Sequence, residues 1–533
     1  MNMKMESVGL VMLVAIIISS SSLIIIMIML AWRVLEWVWF GPKKLERLLR
    51  NQGFHGNPYK PINGDLNQIL AMKTQAHSAP ISLSDQDAVI SRVDPFVHHT
   101  VNRHGKKSFM WFGPVPHVII MEPELIKEIM SKNFIFQKAN QEPIVKLVAT
   151  GIASYNLDKW TKHRKIINPA FHLDKLKNML SAFYESCIEM TSAWEEIVEE
   201  SEEEIDVWPH IKTLSAEVIS RTAFGSSYKE GRKIFQLQKE QIELFIQALA
   251  FSHIPGYRFL PTKLNRRMKQ IAKEVDCLLM GMIEKRLEAI KDGEDNHNDL
   301  LAILLESNFK EIEQEKENGE KSVKGMSIQD VIEESKLFYL AGQETTAILL
   351  VWTMVLLSKH QDWQIRARNE ILEAFGKNGT PDFNRLNHLK IVTAILYEVL
   401  RLYPPLVSVT RIIHDDTELG SSTVLPKGVK ICIPTYLLHY DKEIWGDDAK
   451  EFNPERFSEG VSKATKSQVS FFPFGWGPRL CIGQNFALLE AKMALVLILQ
   501  RFCFELSPSY AHAPSPAVLV QPQFGAHLIL RKL

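Results

Sequence analysis

The sequence is poor in cysteine. Its 533 residues contain five, at Cys187, Cys277, Cys432, Cys481 and Cys503. No two form a C-x-x-C pair, which excludes a zinc ribbon and a thioredoxin-like site. An odd, scattered set argues against a disulfide framework and for a reducing compartment. Cys187, Cys277, Cys432 and Cys503 read as small buried apolar residues. Charge of one sign is also lacking: Lys+Arg and Asp+Glu are both 62, so nothing in the bulk attracts nucleic acid. No glycine-rich dinucleotide or flavin fingerprint occurs, so chemistry needing either draws it from another protein. Internal repeats are absent, and no second long apolar span follows the first. A hydrophobic share of 46% and a charged share of 23% suit a globular chain with a sizeable core.

What is present begins with Val8 to Trp32, a stretch without charge. As a helix it covers roughly 37 Å, enough to span a bilayer's hydrocarbon with some tilt. It is too long for a signal-peptide core, and no small-residue cleavage site follows. Arg33, Lys43, Lys44, Arg47 and Arg50 follow it, which places the C-terminal bulk in the cytosol. Trp32, Trp37 and Trp39 suit the membrane interface, and Gly41-Pro42 is expected to break the helix. The division expected is an anchor over 1–33, a basic, Pro/Gly-rich connecting arm over 34–65 and one large domain over 66–533.

Within that domain Ser108 to Met121 reads as a hairpin, and the periodicity from Pro123 to Met326 is mostly helical. Two charged runs, Glu195 to Asp206 and Glu311 to Lys324, read as solvated loops or helix faces. Ser327 can cap a long helix toward His360. A helix over Leu389 to Leu402 stops before Pro404-Pro405. Val424 to Ile433 reads as a hairpin about Pro426-Lys427-Gly428. Phe471 to Gly483 is an aperiodic loop, followed by a buried helix over Gln484 to Phe502. The fold class is mainly α with a small β part.

The chemistry concentrates in Phe474-Gly475-Trp476-Gly477-Pro478-Arg479-Leu480-Cys481-Ile482-Gly483. Gly475, Gly477 and Gly483 permit backbone conformations that other residues resist. Cys481 stands before a helix start, where free amides and the dipole favour a thiolate. Arg479 can reach an anionic group beside it, and Phe474 can shield the sulfur. A shielded, hydrogen-bonded thiolate is what a haem iron needs as axial ligand.

On these residues the sequence resembles a cytochrome P-450. Further motifs fall in that family's order: Trp160 with Arg164, Ala341-Gly342-Gln343-Glu344-Thr345-Thr346, Glu398-Val399-Leu400-Arg401, and Pro454-Glu455-Arg456-Phe457. The resemblance implies that fold and haem b, with Cys481 as the iron ligand. It implies that Trp160, Arg164, Arg411 and Arg479 serve the haem carboxylates, and that Gly477 belongs to the cofactor loop. Glu344 and Thr345 would be catalytic, Thr345 steadying oxygen and Glu344 delivering protons. Gly342 would let a ligand approach the helix backbone. Glu398, Arg401 and Arg456 would form a buried structural triad. Phe338, Ala341, Leu406, Val407 and Val409 would line an apolar substrate pocket, with one hydroxyl at Ser408.

The stretches Ala31 to Trp39, Arg50 to Gly53, Gly56 to Tyr59 and Asn168 to His172 are similar to plant family 72 of cytochromes P-450, the secologanin-synthase-like group. That resemblance implies an NADPH- and O2-dependent monooxygenase hydroxylating an unactivated C–H bond of a plant terpenoid, a triterpenoid favoured and an iridoid or gibberellin alternative. Electrons would come from a separate NADPH–cytochrome P-450 reductase. The chain would be single-pass in the endoplasmic reticulum membrane, with its catalytic domain cytosolic. Two readings stay open beside it: a haem-thiolate isomerase or dehydratase, and a non-enzymatic haem-binding protein.

Overall fold

A computed structural model describes residues 2–139, 145–148, 150–200, 204–225, 228–292, 299–317, 325–465, 469–516 and 518–533. Helix α1 covers Asn2–Leu35. Its serines do not interrupt it, because Ser19 and Ser21 donate their hydroxyls back to the Ile16 and Ile17 carbonyls at 3.0 and 2.8 Å. The helical stretch from Ile16 to Asn51 contains a span-length window of mean hydropathy 2.0 that is 0% buried. The expected break at Gly41-Pro42 does not occur. A π turn at Glu36–Phe40 leads into α2, Gly41–Asn51, with the Gly41 N–H bonded to the Glu36 carbonyl. The shift puts Pro42 in the first turn of the new helix, where its missing N–H costs nothing.

The stretch after α2 is built into the body. Leu49, Phe54 and Tyr59 are buried. Arg50 bonds Glu46 and the Gly56 carbonyl, each at 2.9 Å. Strand β1, His55–Gly56, runs parallel to β2, Ser108–Phe112, which forms the expected hairpin with β3, Val115–Ile119. The two-residue β4, Gln137–Lys138, follows.

Helices used below are α3 (Leu157–Ile167), α4 (Leu180–Glu200), α5 (Val207–Phe224), α6 (Tyr228–Leu249), α7 (Lys263–Lys291), α8 (Ile328–Lys359) and α9 (Lys390–Leu402). Strands β5 (Ser408–Ile412), β6 (Thr417–Leu419), β7 (Thr423–Leu425) and β8 (Lys430–Pro434) precede α10 (Gln484–Arg501). The main sheet runs β1-β2-β3-β8-β5-β4. The hairpin expected over Val424 to Ile433 is not formed. β7 pairs back with β6, while β8 inserts between β3 and β5. The turn at Pro426-Lys427-Gly428 thus passes the chain between sheets, because β8, itself mostly buried, finds two partners longer than β7.

Ser327 caps α8 in a reciprocal box with Asp330. Contrary to the expectation of a single long apolar span, this helix is also long and apolar enough to cross a membrane, with mean hydropathy 1.5. It is 67% buried in the same window and serves as the core helix of the body. Every residue of α10 from Leu488 to Gln500 is buried, as its all-round apolar character demands. Of the first charged run, Glu195 to Glu200 finish α4 and Glu204–Asp206 form a strand against His527–Lys532. Of the second, Glu311 to Glu317 close a helix. Residues 201–203 and 318–324 lie outside the described residues. Cys187 and Cys432 are buried as expected, whereas Cys277 is exposed on α7 and Cys503 is half-buried.

Candidate functional site

The cysteine loop is held by its own backbone. The Cys481 N–H donates to the Phe474 carbonyl at 2.8 Å, closing the loop around a short 3-10 turn at Gly477–Arg479. Gly475 and Gly477 sit at φ 78 and 68, as expected. A side chain on Gly477 would also meet the Met130 carbonyl at 2.9 Å. Gly483 differs from the expectation: its φ is not positive, and a side chain there would meet the Phe171 ring and the Cys481 sulfur only at ordinary contact distance, so neither backbone nor packing demands a glycine. Phe474 packs partly buried against the core.

Cys481 is accessible yet densely surrounded by protein. Burial pushes its thiol up, against the Gly483 N–H and the cations Arg164 and Lys138, which favour the thiolate. The helix-start environment alone therefore does not decide its charge. A bound metal would, because a coordinating thiol is deprotonated outright.

Four cations cluster beside this loop, two of them, Arg164 and Lys138, acting on the sulfur itself. Arg164 of α3 donates to the Leu480 carbonyl at 2.8 Å. Arg479 lies 4.2 Å over the Trp160 ring and donates to the Tyr155 carbonyl at 2.7 Å and Asn156 Oδ1 at 3.0 Å. Arg411 of β5 is buried, bonded to the Thr410 carbonyl and Met130 sulfur. Lys138 stands opposite Arg411 in the β4–β5 register. Among the described residues no carboxylate pairs with any of the four. Burial pushes Arg479 down to about 10, with Arg411 and Arg164 adding repulsion. Burial, Arg411 and Arg479 take Lys138 down to about 7. Like charges facing across a strand pair are destabilising, so the cluster suits a ligand bearing more than one negative charge. Lys138 escaped the sequence reading. A lone lysine carries no signal until strand pairing sets it beside Arg411.

The opposite wall is α8. It is buried on both sides of one opening, where Ala341 is exposed and Leu340 and Gly342 to Thr345 are half-open. The Thr345 hydroxyl donates to the Ala341 carbonyl at 2.7 Å, leaving its lone pairs to the opening. Gly342 has a packing role the sequence did not suggest. A Cβ there would lie 2.7 Å from Ile219, so the glycine lets α5 and α8 close on each other. Glu344 is paired with Lys212 of α5 at 2.8 Å, another residue without a sequence signal. Phe338 is buried, its ring edge against Phe171 at 5.9 Å; Phe171 in turn borders Gly483 beside Cys481.

A third wall is the stretch from Leu406 to Thr410, exposed or half-open after the buried end of α9. Val409 shares the Arg411 face of β5 by strand alternation. Ser408 lies on the other face, against Cys432, so its hydroxyl leaves this wall. Leu406 is 48% exposed and Val407 is half-buried.

Behind the loop, Arg401 grips Glu398 with two bonds, at 2.8 and 2.6 Å, and both residues are fully buried. Arg401 also donates to the carbonyls of His439, Ala449 and Glu451. Arg456 reaches Glu398 only at 3.6 Å and is held chiefly by Asp448 at 2.5 Å. The expected triad is thus a tight pair with Arg456 leaning on it.

The donor set fits haem b: a sulfur for the iron and, for the two haem carboxylates, cations that no carboxylate among the described residues neutralises. The family model for cytochrome P-450 matches residues 92–528. A subfamily 72A cytochrome P-450 of Panax ginseng is 58% identical, covering 95% of this chain and 96% of its own length. Cytochrome P-450 72A15 of Arabidopsis thaliana is 55% identical over 94% and 96%. Secologanin synthase 1 of Catharanthus roseus is 52% identical over 94% and 95%. This chain belongs to the cytochromes P-450, in family 72: it is a haem-thiolate monooxygenase that binds haem b and takes O2, a redox partner's electrons and a small organic substrate.

Proposed function

We propose that the substrate is a plant terpenoid, a triterpenoid by preference, hydroxylated at an unactivated C–H bond. The observation that carries this is near-full-length likeness to subfamily 72A relatives together with an apolar, half-open wall at Leu406, Val407 and Val409. Haem b, when bound, supplies the redox iron through which one atom of O2 enters the C–H bond and the other leaves as water. Cys481 gives the thiolate ligand, which the Gly483 N–H steadies. Arg164, Arg411, Arg479 and Lys138 hold the carboxylates, with Trp160 backing Arg479. Thr345 would steady the bound oxygen, and Glu344, the preceding residue, tethered by Lys212, would relay protons toward it. Electrons come from NADPH through a separate reductase. The α1 helix anchors the chain in the endoplasmic reticulum membrane with its body in the cytosol.

An iridoid substrate is the second reading, favoured by the relatives named for secologanin. The test is mass spectrometry of products from the full-length protein co-expressed with a plant reductase and fed triterpenoids, iridoids and gibberellins. A product heavier by one oxygen and dependent on NADPH names the class. No product from protein that still shows the thiolate haem spectrum overturns the terpenoid assignment.

A further inference from the structure

Glu334 and His163 take no part in the chemistry above, yet they are among the most enclosed polar side chains in the body. Glu334 is 0% exposed and His163 is 2% exposed. Glu334 projects from α8, two turns before the open stretch at Leu340 to Thr345. One of its oxygens accepts from His163 Nδ1 on α3 at 2.6 Å. The other accepts the Ile152 N–H at 2.9 Å. Gly151, at φ 71, brings that N–H in; any side chain there would strike the Glu334 carboxylate at 2.5 Å. A single carboxylate therefore ties α8 to α3 and to the 151–155 turn.

Those two segments carry much of what surrounds Arg479 and the cysteine loop. The turn supplies the Tyr155 carbonyl that accepts from Arg479. Asn156, the next residue, bonds Arg479 and also both the N–H and carbonyl of Lys138. Helix α3 supplies Trp160 beneath Arg479, and Arg164 on the Leu480 carbonyl. His163 adjoins Arg164 in sequence, and its ring meets Tyr155 edge-on at 4.8 Å. A weaker tether runs beside it at the rim, Lys159 to Asp330 at 2.7 Å. Among the described residues the repelling cations have no carboxylate of their own to hold them, so their placement depends on the backbone beneath.

We propose that Glu334, acting through His163 and the Ile152 N–H, is a positioning residue that sets the cation cluster to receive the haem carboxylates. It couples the wall facing the substrate to the residues facing the haem. The inference rests on the cofactor assignment and not on the terpenoid one.

The test measures haem transfer from the full-length holoprotein to excess apomyoglobin, alongside the thermal midpoint. His163→Phe keeps the ring packing but loses the bond. Glu334→Ala removes the clamp. Glu334→Gln can keep both bonds by a change of His163 tautomer. Partners that orient a ligand set typically change affinity 10–100-fold. His163→Phe and Glu334→Ala are expected to release haem at least about tenfold faster. Glu334→Gln should stay near wild type, and the double variant should be no faster than Glu334→Ala. Ile283→Ala, a buried change on α7 outside the cluster, should lower the midpoint and leave transfer unchanged. If Glu334→Ala does not fold, His163→Phe carries the test alone. Wild-type haem transfer in His163→Phe overturns the proposal, as does transfer that merely follows the midpoint through Ile283→Ala. Terpenoid turnover does not enter the readout, so failure of the substrate assignment stays separate.

Discussion

Glu398, Glu334 and Glu490 are among the most deeply buried carboxyl groups of the described residues, and each is met in a different way. Glu398 has the two-bond grip of Arg401, Glu334 has His163 and a backbone N–H, and Glu490 has only the Ser215 hydroxyl at 2.6 Å. The differences predict different costs. Arg401→Ala leaves Glu398 fully buried and without its partner, and should destabilise by about 3–5 kcal/mol in chemical unfolding. Burial pushes Glu490 up to about 8 from 4.5, partly offset by Ser215. A raised carboxyl pKa means that the folded state holds the proton more tightly. Its contribution is complete below about pH 4.5 and is lost as pH rises through about 8. Glu490→Gln should therefore flatten that part of the stability profile, gaining at most about 5 kcal/mol relative to wild type at pH 9. Unfolding midpoints at pH 6 and 9 check this. Thr345→Ala removes the hydroxyl at the α8 opening. It should lower product formed per NADPH consumed roughly 10-fold or more, with substrate-binding spectra little changed. Of these residues, the motif positions could be read from the chain, whereas Glu334, Glu490 and Lys138 could not. Their meaning lies in burial and in partners distant along the sequence.

At the scale of elements, the closeness of α5 and α8 is decided by Gly342. A methyl there meets Ile219 at contact distances no packed core accepts. Gly342→Ala should cost about 1–3 kcal/mol by overpacking, and Ile219→Val or Ile219→Ala in the same chain should restore much of it. A glycine needed for ligand approach would show lost substrate binding and no such rescue. Helix limits were legible because capping and periodicity are local: Ser327 with Asp330 starts α8, and Pro404 follows the end of α9. Strand partners were not, because pairing is a contest among distant segments. β8 left β7 for β3 and β5, and β4 set Lys138 against Arg411. Pro42 belongs with these cases. A proline breaks an α-helix, but a π turn before it lets the helix resume.

For the whole molecule, the apolar N-terminal helix and the body meet within the basic segment. Removing residues 1–35 deletes exposed apolar helix and spares α2. That variant should move from the membrane fraction to the soluble one and keep its haem spectrum. Removing residues 1–51 also strips buried Leu49 and the Glu46–Arg50 link to Gly56 and Tyr59, and should lose folded, haem-bearing protein. The order of residues by itself determined the family, the cysteine loop, the long helices and the apolar N-terminal span. Each is a local pattern of residue types at fixed spacing. Only the tertiary structure decided that four cations without a carboxylate partner among the described residues share one site, that Glu344 answers to Lys212, that Gly342 serves helix packing, and that one buried carboxylate joins α8 to α3 and the 151–155 turn. Those facts depend on which distant segments exclude water together, and burial sets the energy of every charge among them.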